Sequence, residues 1–385
     1  MIGVLADDFT GAAEIGAIGR RYGLEAEVQT TFRRTHDADL VVLDTHTRSS
    51  TRAEAVERVG RETEGLRRAG ADWIYKKVDS VLRGHVLAEV ASALDRSGLQ
   101  RALLVPANPS FGQVIREGHY RIYGHPLNET RFAHDPEHPA RTDDVLELLG
   151  PVDGIELAYR EDRRSLPATG IVVTAVSARS DLAELAGLLD TDTLPAGAAE
   201  FFGAALERRL GRNGNEARRG GEPRPRRALF VLGSRSEHGR ALLARAQADR
   251  VGTVLLTAEP GEATLETWVD AALDGLRERE IVMLAVDRGG VDPSLPSPVH
   301  RLPRRLASVT EAVLRSWRGD DLHLFIEGGT TASTIVRRLG WERLRVTGEL
   351  GNGVVTLAAV GERERRVTVK PGNYPWPETI RRWFE

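Results

Sequence analysis

Short, uninterrupted apolar runs alternate with longer helix-type segments along this chain. The runs are rich in Val, Leu and Ile and lack polar alternation, which is typical of strands covered on both faces. Before residue 211 the predicted strands are 2–6, 40–45, 73–78, 101–107 and 170–176. Helices are predicted near 11–22, 51–69, 84–97 and 179–189. Strands that alternate with helices form βαβ units, so the sequence predicts an α/β fold with a mainly parallel sheet.

The alternation stops at residues 211–227, GRNGNEARRGGEPRPRR, which contain Gly, Pro and Arg but no large apolar residue. We interpret this segment as a linker and not as a nucleic-acid tail, because no aromatic residue is interleaved. Beyond it the predicted strands are 228–234, 252–258, 281–286 and 323–327, with three β segments between 344 and 370. Helices are predicted near 237–248, 263–278, 303–317 and 331–339. The sequence thus predicts two α/β domains, 1–210 and 228–385, with an active site in the cleft between them.

Composition excludes several classes of function. The net charge is -3, so no nucleic-acid partner is expected, and the absence of cysteine excludes disulfides, thiolate catalysis and Cys-ligated metal centres. No apolar run approaches 18 residues and the N-terminus lacks a basic region, so we expect no membrane partner, no signal peptide and a cytoplasmic location. The oligomeric state is left open, with a homodimer as one option.

Lysine is rare in this chain. Lys and Arg total 53 residues, yet the only lysines are Lys76, Lys77 and Lys370. Arginine has replaced lysine elsewhere, so the retained lysines are expected where a compact ammonium is needed, for example beside phosphate. The alternative is chance survival at solvated positions.

Acidic side chains follow the first predicted strand. Asp7 and Asp8 precede a helix start with Thr10 as one candidate cap, at the sheet edge where ligands bind in open α/β folds. Two acids there can hold Mg²⁺, bond sugar hydroxyls or act as a general base; alternatively one caps the helix and the other is solvated. Arg48, at the same edge, suits a carboxylate because its fork pairs both oxygens; the alternative is an ordinary surface arginine.

Two further kinds of loop carry chemistry. The strand ending at Lys77 leads into Asp79, Ser80 and Arg83, so one short loop presents an ammonium, a carboxylate, a hydroxyl and a guanidinium. In the second half, GSRS at 233–236 and GGTTAS at 328–333 each connect a predicted strand to a predicted helix. Glycines and hydroxyls before a helix receive phosphate through backbone N–H groups, so nucleotide binding is predicted, although neither loop is a Walker motif.

Five segments together resemble one known family. LADDFTGA at 5–12, KKVDSVLRG at 76–84, PANPSFGQ at 106–113 with Gly118, GGTTAS at 328–333 and KPGN at 370–373 resemble the four-carbon acid sugar kinase family, in the same order across nearly the whole chain. The resemblance implies an N-terminal domain for threonate, erythronate or a 3-oxo-tetronate and a C-terminal domain for ATP. The terminal phosphoryl group would pass to the end hydroxyl of the sugar acid.

The residues expected at the sugar acid are Asp7, Asp8, Arg48, Lys77, Val78, Asp79, Ser80 and Arg83. Those expected at ATP are either Ser234 or Ser236, together with Gly328, Gly329, Thr330, Thr331, Lys370 and Gly372. Val81 and Gln113 depart from the family pattern, which leaves the particular sugar acid open.

The mechanism consistent with these residues is in-line phosphoryl transfer, which depends on positioning and charge neutralisation. Arg48 and Lys77 would clamp the substrate carboxylate, and Mg²⁺ with the glycine loops would hold the phosphates. Either Asp8 or Asp79 would accept the hydroxyl proton, and no protein ligand for the metal is assigned. The alternatives are a non-catalytic sugar-acid sensor and a lyase acting on related sugar acids.

Overall fold

The computed structural model describes residues 1–135, 137–214, 224–233, 237–248, 252–256, 264–286, 301–319, 321–361, 365–372 and 374–384, with only the backbone for 301–303. The chain divides into two compact units, Met1–Glu216 and Ala217–Glu385. Most of the predicted linker, 215–223, lies outside the described residues, and so do Ser234 and Ser236. The domain limits at 210 and 228 therefore stay predictions.

The first unit contains the predicted βαβ pattern. Its strands are β1 (Ile2–Ala6), β2 (Ala26–Gln29), β3 (Leu40–Asp44), β4 (Trp73–Lys77), β5 (Arg101–Val105), β6 (Gln113–Arg116), β7 (His119–Ile122), β8 (His125–Pro126), β9 (Leu157–Arg160), β10 (Gly170–Thr174) and β11 (Thr193–Gly197). Its α-helices are α1 (Phe9–Arg21), α2 (Arg52–Arg68), α3 (Val86–Ser97), α4 (Val145–Leu149), α5 (Arg179–Gly187) and α6 (Ala199–Leu210).

The main sheet of this unit has the strand order β2-β3-β1-β4-β11-β5-β10-β9. Its strand pairs are parallel, as the apolar runs predicted. Every residue of β1 and β3 is buried, because helices cover both faces of a parallel sheet. Since parallel strands end at the same edge, the polar residues that follow β3, β1, β4, β11 and β5 lie side by side.

Some elements of this unit were not predicted from the sequence. Helix α6 was not predicted; its Phe202 packs against Tyr75 of β4 with ring centroids 5.0 Å apart. Strand β2 contains buried Glu27 and Gln29, and Gln29 Nε2 donates to Glu27 Oε1 over 2.6 Å, so its polar residues satisfy each other within the protein.

The second unit also alternates strands and helices. Its strands are β12 (Arg227–Leu232), β13 (Gly252–Leu256), β14 (Ile281–Val286), β15 (Leu322–Glu327), β16 (Arg343–Gly351), β17 (Val354–Ala359) and β18 (Arg366–Lys370). Its α-helices are α7 (Glu237–Ala248), α8 (Leu265–Glu278), α9 (Arg301–Ser316), α10 (Gly329–Arg338) and α11 (Glu378–Arg381). No helix in the described parts of the chain is long and apolar enough to cross a lipid bilayer.

Strands in the second unit follow the order β13-β14-β12-β15-β18-β17-β16. The first five are parallel, and β17 and β16 continue the sheet antiparallel. The three predicted C-terminal β segments are therefore confirmed. Phe230 and Phe325 stack on neighbouring strands with centroids 4.6 Å apart, and Trp376 packs edge-on against Phe230. The prediction of two α/β units, each with a mainly parallel sheet flanked by helices, is confirmed.

Candidate functional site

Asp8 lies where β1 ends and α1 begins. Its carboxylate accepts hydrogen bonds from the backbone N–H of Gly11 over 2.9 Å and from the hydroxyl of Thr10 over 2.7 Å. Asp8 is therefore the N-cap of α1. The alternative that one of the two acids caps the helix is confirmed for Asp8, and Thr10 is not the cap, because it lies inside the first turn and donates to Asp8.

Arg48 joins the ends of two neighbouring strands to the loop after β4. Its Nε donates to Asp7 Oδ2 over 2.7 Å, and its Nη1 donates to Asp8 Oδ2 over 3.2 Å. Its Nη2 lies 3.5 Å from Asp79 Oδ1. Each nitrogen of the guanidinium thus already faces a carboxylate of the protein. The structure does not present the open fork that we predicted for the substrate carboxylate; Arg48 instead gathers three acids at the edge of the sheet.

Asp79 and Arg83 form a two-point ion pair in the loop after β4. Arg83 donates from Nε to Asp79 Oδ2 over 3.0 Å and from Nη2 to Asp79 Oδ1 over 2.8 Å, and its backbone N–H also reaches Oδ2 over 3.0 Å. The Nη1 of Arg83 contacts Asp135 Oδ2 at 3.2 Å. In the same loop the carbonyl oxygen of Ser80 accepts a hydrogen bond from the hydroxyl of Tyr120. The Asp79 carboxylate is therefore saturated by donors from its own loop.

The charges of this cluster shift its pKa values. Burial by itself raises the pKa of Asp8, but the positive charges of Arg48 and Lys77 outweigh it, so the pKa lies below its ordinary value. The pKa of Asp79 is lowered much further, because Arg83 and Arg48 together outweigh the desolvation that accompanies burial. Both groups are carboxylates at neutral pH, and Asp79 is the weaker base of the two.

Lys77 lies beside the start of α1. Its ammonium donates to the carbonyl oxygen of Val78 over 2.8 Å, and its side chain is almost completely buried. That is the one hydrogen bond of this ammonium among the described residues, so two of its three donors remain for a ligand. The side chain of Val78 lies in the core, so Val78 contributes its backbone and not its side chain to this edge.

Asp7 retains an unpaired acceptor. The residue is only 4% exposed, so the alternative of a solvated carboxylate is wrong for Asp7. Its Oδ2 accepts from Arg48, whereas its Oδ1 is buried and has no hydrogen-bond partner among the described residues. A buried carboxylate oxygen without a donor is costly, which is consistent with a place reserved for a ligand hydroxyl.

Sequence reasoning missed a second polar group at the same edge. Glu200, in the first turn of α6, accepts from the backbone N–H of Ser110 over 3.1 Å and from its hydroxyl over 3.0 Å. The backbone N–H of Glu200 donates to Asn108 Oδ1 over 3.2 Å, and burial raises the pKa of Glu200. The loop at 106–112, with its two prolines, was a sequence signal that Asn108 lies at this edge. No sequence signal pointed to Glu200, because helix α6 itself was not predicted.

In the second unit, β15 leads through Gly328 into α10. Gly328 is the N-cap residue with φ 102°, a conformation that favours glycine. Its N–H donates to the carbonyl oxygen of Lys370 over 2.9 Å. The N–H groups of Gly329, Thr330 and Thr331 lie in the first turn, where a helix provides no partner for them. They and the helix dipole make this turn suitable for a phosphate.

The loop after β12 meets the same turn. Gly233 packs so tightly against the side chain of Thr331 that a β-carbon at position 233 would collide with its hydroxyl. Thr331 itself is buried, whereas Thr330 is exposed and Gly372 is partly exposed. The structure therefore brings Gly233, the first residue of one predicted glycine loop, against the start of the other at one edge of the sheet.

Lys370 occupies a different position from the one we predicted. Its side chain is fully buried, and its ammonium lies 3.2 Å from Glu327 Oε2. The same ammonium donates to the carbonyl oxygens of Pro371 over 2.9 Å and Tyr374 over 2.5 Å. All three donors are used inside the protein, so the expectation that this ammonium meets ATP directly is not supported by the geometry.

A glycine turn at a helix N-terminus in one unit, and an acid–arginine–lysine cluster at a sheet edge in the other, are the parts of a phosphotransferase. Residues 2–202 match the family model described as the sugar-binding N-terminal domain, and residues 229–374 match that of the nucleotide-binding C-terminal domain. The chain therefore belongs to the four-carbon acid sugar kinase family, as its motifs indicated.

Curated relatives match over nearly the full length. The D-threonate kinase of Salmonella typhimurium is 26% identical over 384 residues, covering 90% of this chain and 88% of the relative. The 3-oxo-tetronate kinase of Methylobacterium radiotolerans is 26% identical over 419 residues, covering 97% of this chain and 96% of the relative. A solved Haemophilus influenzae protein from a domain family of unknown function has the same fold, with a TM-score of 0.72 and 19% identity over 99% of this chain and 98% of the other. Kinase relatives and a nucleotide-binding domain imply the use of ATP.

Proposed function

We propose that this protein transfers the terminal phosphoryl group of ATP to the end hydroxyl of a four-carbon sugar acid. The observation that carries the proposal is the division of chemistry between the two units. One unit collects Asp7, Asp8, Arg48 and Lys77 at the edge of its sheet, and the other presents the glycine turn at Gly328. A phosphoryl transfer needs these two parts, because the enzyme mainly positions the reactants and neutralises charge.

Asp8 is the base in this proposal. Both Asp8 and Asp79 face Arg48, but Asp79 also forms a two-point ion pair with Arg83, and its strongly lowered pKa makes it a poor proton acceptor. The Asp8 side chain is 15% exposed against 7% for Asp79, and its pKa is lowered less far. Asp8 would accept the proton of the attacking hydroxyl, while Asp7 Oδ1 would accept a hydrogen bond from a neighbouring hydroxyl of the sugar acid.

Lys77 takes the role of carboxylate ligand. Arg48 is committed to three carboxylates of the protein, whereas the ammonium of Lys77 has two donors left. A substrate carboxylate beside Lys77 would also lie close to the N-terminus of α1, whose dipole favours a negative charge. Arg48 would then act by holding Asp7, Asp8 and Asp79 in place, and Arg83 by fixing Asp79.

ATP is proposed to lie on the first turn of α10. The N–H groups of Gly329, Thr330 and Thr331 point toward the N-terminal end of the helix, where they can receive a phosphate. The exposed hydroxyl of Thr330 and the backbone at Gly372 would complete the contacts. Ser234 and Ser236 stay predicted ligands, since they lie outside the described residues.

Mg²⁺ would neutralise the phosphates of ATP. No three acidic or histidine side chains converge as in a protein-held metal centre within the described residues. The carboxylate next to the glycine turn, Glu327, is already paired with Lys370. We therefore assign no protein ligand to the ion and propose that it enters with the phosphates, as is common for Mg²⁺.

The sensor and lyase alternatives lose their support. Neither explains a nucleotide-binding domain, and the curated relatives are kinases. A cytoplasmic location and the option of a homodimer stay predictions of the sequence.

The test is ATP consumption by the purified protein with a panel of four-carbon sugar acids: D-threonate, D-erythronate and 3-oxo-tetronates. We expect turnover with at least one acid, and ATP hydrolysis at background level when the acid is omitted. The corresponding tetritols, threitol and erythritol, keep the end hydroxyl but lack the carboxylate, so they are the matched control and should be poor acceptors. Equal turnover with acids and tetritols would contradict the role of Lys77, and no turnover with any acid would contradict the proposed substrate class.

A further inference from the structure

Glu327 is the last residue of β15, directly before the glycine turn. Its strand lies between β12 and β18, and Glu327 pairs in register with Leu232 on one side and Lys370 on the other. Its side chain is fully buried. A carboxylate at this point lies underneath the turn at Gly328, to which the proposed function assigns the phosphates of ATP.

Glu327 takes part in a closed polar network. Its Oε2 lies 3.2 Å from the ammonium of Lys370 and accepts a hydrogen bond from Trp376 Nε1 over 2.9 Å. Lys370 in turn donates to the carbonyl oxygens of Pro371 and Tyr374. The network therefore links the end of β15 to the end of β18 and to the segment that follows it, up to Trp376.

The same carboxylate contacts the start of a second helix. Gly239, in the first turn of α7, packs so closely against Glu327 that a β-carbon there would collide with Oε1. The backbone N–H of Gly328 also donates to the carbonyl oxygen of Lys370. Helix α7, the turn into α10 and the end of β18 thus all meet around one side chain.

Stability alone is a poor explanation for this arrangement. A buried ion pair loses about as much by desolvation as it gains by attraction, and well-packed apolar residues often replace such a pair without loss. A charged pair does fix geometry, because each partner must stay within hydrogen-bond distance. Burial lowers the pKa of Lys370 while Glu327 opposes that shift, so the two charges depend on each other.

We propose that Glu327 is a positioning residue for nucleotide binding. It holds the turn at Gly328 and the start of α7 in the geometry that receives the phosphates, without touching ATP itself. The inference rests on the proposed nucleotide role of the Gly328–Thr331 loop. Lys370 and Trp376 then act by holding Glu327 in place.

The test compares Glu327→Gln with Glu89→Gln. Lys76 and Glu89 form a matched buried pair in the other unit, with Nζ and Oε2 2.8 Å apart. Both variants leave a buried lysine without its counter-charge and should lose thermal stability. Glu327→Gln should also raise the KM for ATP at least tenfold with the KM for the sugar acid within twofold of wild type, whereas Glu89→Gln should leave the KM for ATP within twofold. A KM for ATP within twofold of wild type in both variants would overturn the proposal.

Trp376→Phe provides a milder second variant if Glu327→Gln does not fold. It removes only the indole donor to Glu327 and should raise the KM for ATP about threefold. Trp383→Phe is its control, because Trp383 packs in the same aromatic core against Phe325 and has no hydrogen bond to Glu327 among the described residues. Equal KM values in the two tryptophan variants would count against the proposal.

Calorimetry with ADP separates this inference from the proposed function. ADP affinity is measured without any sugar acid, and it should fall in Glu327→Gln but not in Glu89→Gln. A wild-type protein that binds ADP but phosphorylates no sugar acid would overturn the proposed substrate, and the ADP affinities would still decide the role of Glu327.

Discussion

The candidate sites of the two units use buried charge in opposite ways. In the sugar-binding domain Arg48 and Arg83 are 18% and 20% exposed at their side chains, and Asp7 Oδ1 has no partner among the described residues. In the nucleotide-binding domain Glu327 and Lys370 have no exposed surface, and every donor of the lysine ammonium is used. The first cluster is open to a ligand, whereas the second is closed.

This difference indicates how each domain meets its substrate. A sugar acid carries hydroxyls and a carboxylate at several points, so it is best recognised by side chains with unused donors and acceptors. The phosphates of ATP can be received by backbone N–H groups at a helix N-terminus. In that case the charged side chains are needed underneath the backbone, where they hold its shape.

The largest expected effect is that of Asp8→Asn in the open cluster. Asparagine caps a helix about as well as aspartate, so α1 should persist. Loss of the base should lower turnover about a thousandfold, within the range for general-base catalysis. Steady-state kinetics measure the effect, and unchanged ADP affinity is the control. Turnover within tenfold of wild type would move the base away from Asp8.

Arg48→Lys tests whether the arginine organises the acids. A single ammonium cannot reach Asp7, Asp8 and Asp79 together, so sugar-acid binding should weaken by about 2 kcal/mol while ATP affinity stays unchanged. Isothermal calorimetry checks both ligands. The exposed Arg68→Lys is a suitable control with no expected effect. If sugar-acid affinity is unaffected in Arg48→Lys, the cluster does not depend on the planar guanidinium.

Lys77→Arg and Lys370→Arg compare the lysine of the open cluster with the lysine of the closed cluster. Lys77→Arg should lower turnover at least tenfold, or about 1.4 kcal/mol of transition-state stabilisation, because the longer planar group does not fit beside Asp8. Lys370→Arg should lower the thermal midpoint and, through Glu327, raise the KM for ATP, because its site is saturated and fully buried. Circular dichroism and steady-state kinetics on both variants separate the outcomes. Wild-type kinetics in Lys77→Arg would show that its ammonium does not meet the substrate.

The smallest expected effect concerns a neutral, buried histidine in the nucleotide-binding domain. Burial lowers the pKa of His323 to about 3, and its Nε2 lies 2.8 Å from Thr368 Oγ1. The unfolded chain binds a proton near pH 6.5 and the folded domain does not, so stability is full above pH 6.5 and falls as the pH drops toward 3. Between pH 7.5 and 6.0 the free energy of unfolding should fall by about 1 kcal/mol from this group.

Denaturant titrations at the two pH values measure this loss. Tryptophan fluorescence reports mainly on the nucleotide-binding domain, because Trp73 alone of the six tryptophans belongs to the first unit. In His323→Asn the pH dependence should shrink, whereas the exposed His125→Asn should retain it. Equal pH dependence in both variants would mean that another group takes up the proton.

Elements with a strong local pattern were predictable. The predicted limits of β1, β14 and α7 agree with the structure, because the two strands are uninterrupted apolar runs and the buried residues of α7 recur at helical spacing. Strand β11 was missed because its sequence, TLPAG, contains proline and glycine, which disfavour a central strand. It lies between β4 and β5 in the sheet, so contacts far along the chain decide its structure.

The sequence predicted at which edge of the sheet the site residues lie, but not which side chains they contact. The polar loops after β1 and β4 do lie at one edge, and the glycine loops at 233 and 328–331 do meet. A carboxylate cap of α1 was one of the two alternatives, whereas the saturation of Arg48 and the existence of the Glu200 group were not foreseen. Each depends on the direction of a side chain or on an element without a local pattern.

The sequence by itself determined the α/β class, because hydrophobic periodicity is a local property of the chain. It also determined which strand ends carry charged residues, and its motifs indicated the family. Only the tertiary structure decided which charges meet. Asp7, Arg48 and Asp79 are widely separated along the chain, yet the guanidinium of Arg48 lies within 3.5 Å of both carboxylates at the edge of the sheet. It likewise separated Lys77, with donors left for a ligand, from Lys76 and Lys370, which are paired with buried glutamates. Electrostatic attraction depends on the distance between the charges and on their burial away from water, and neither quantity can be read from the order of residues.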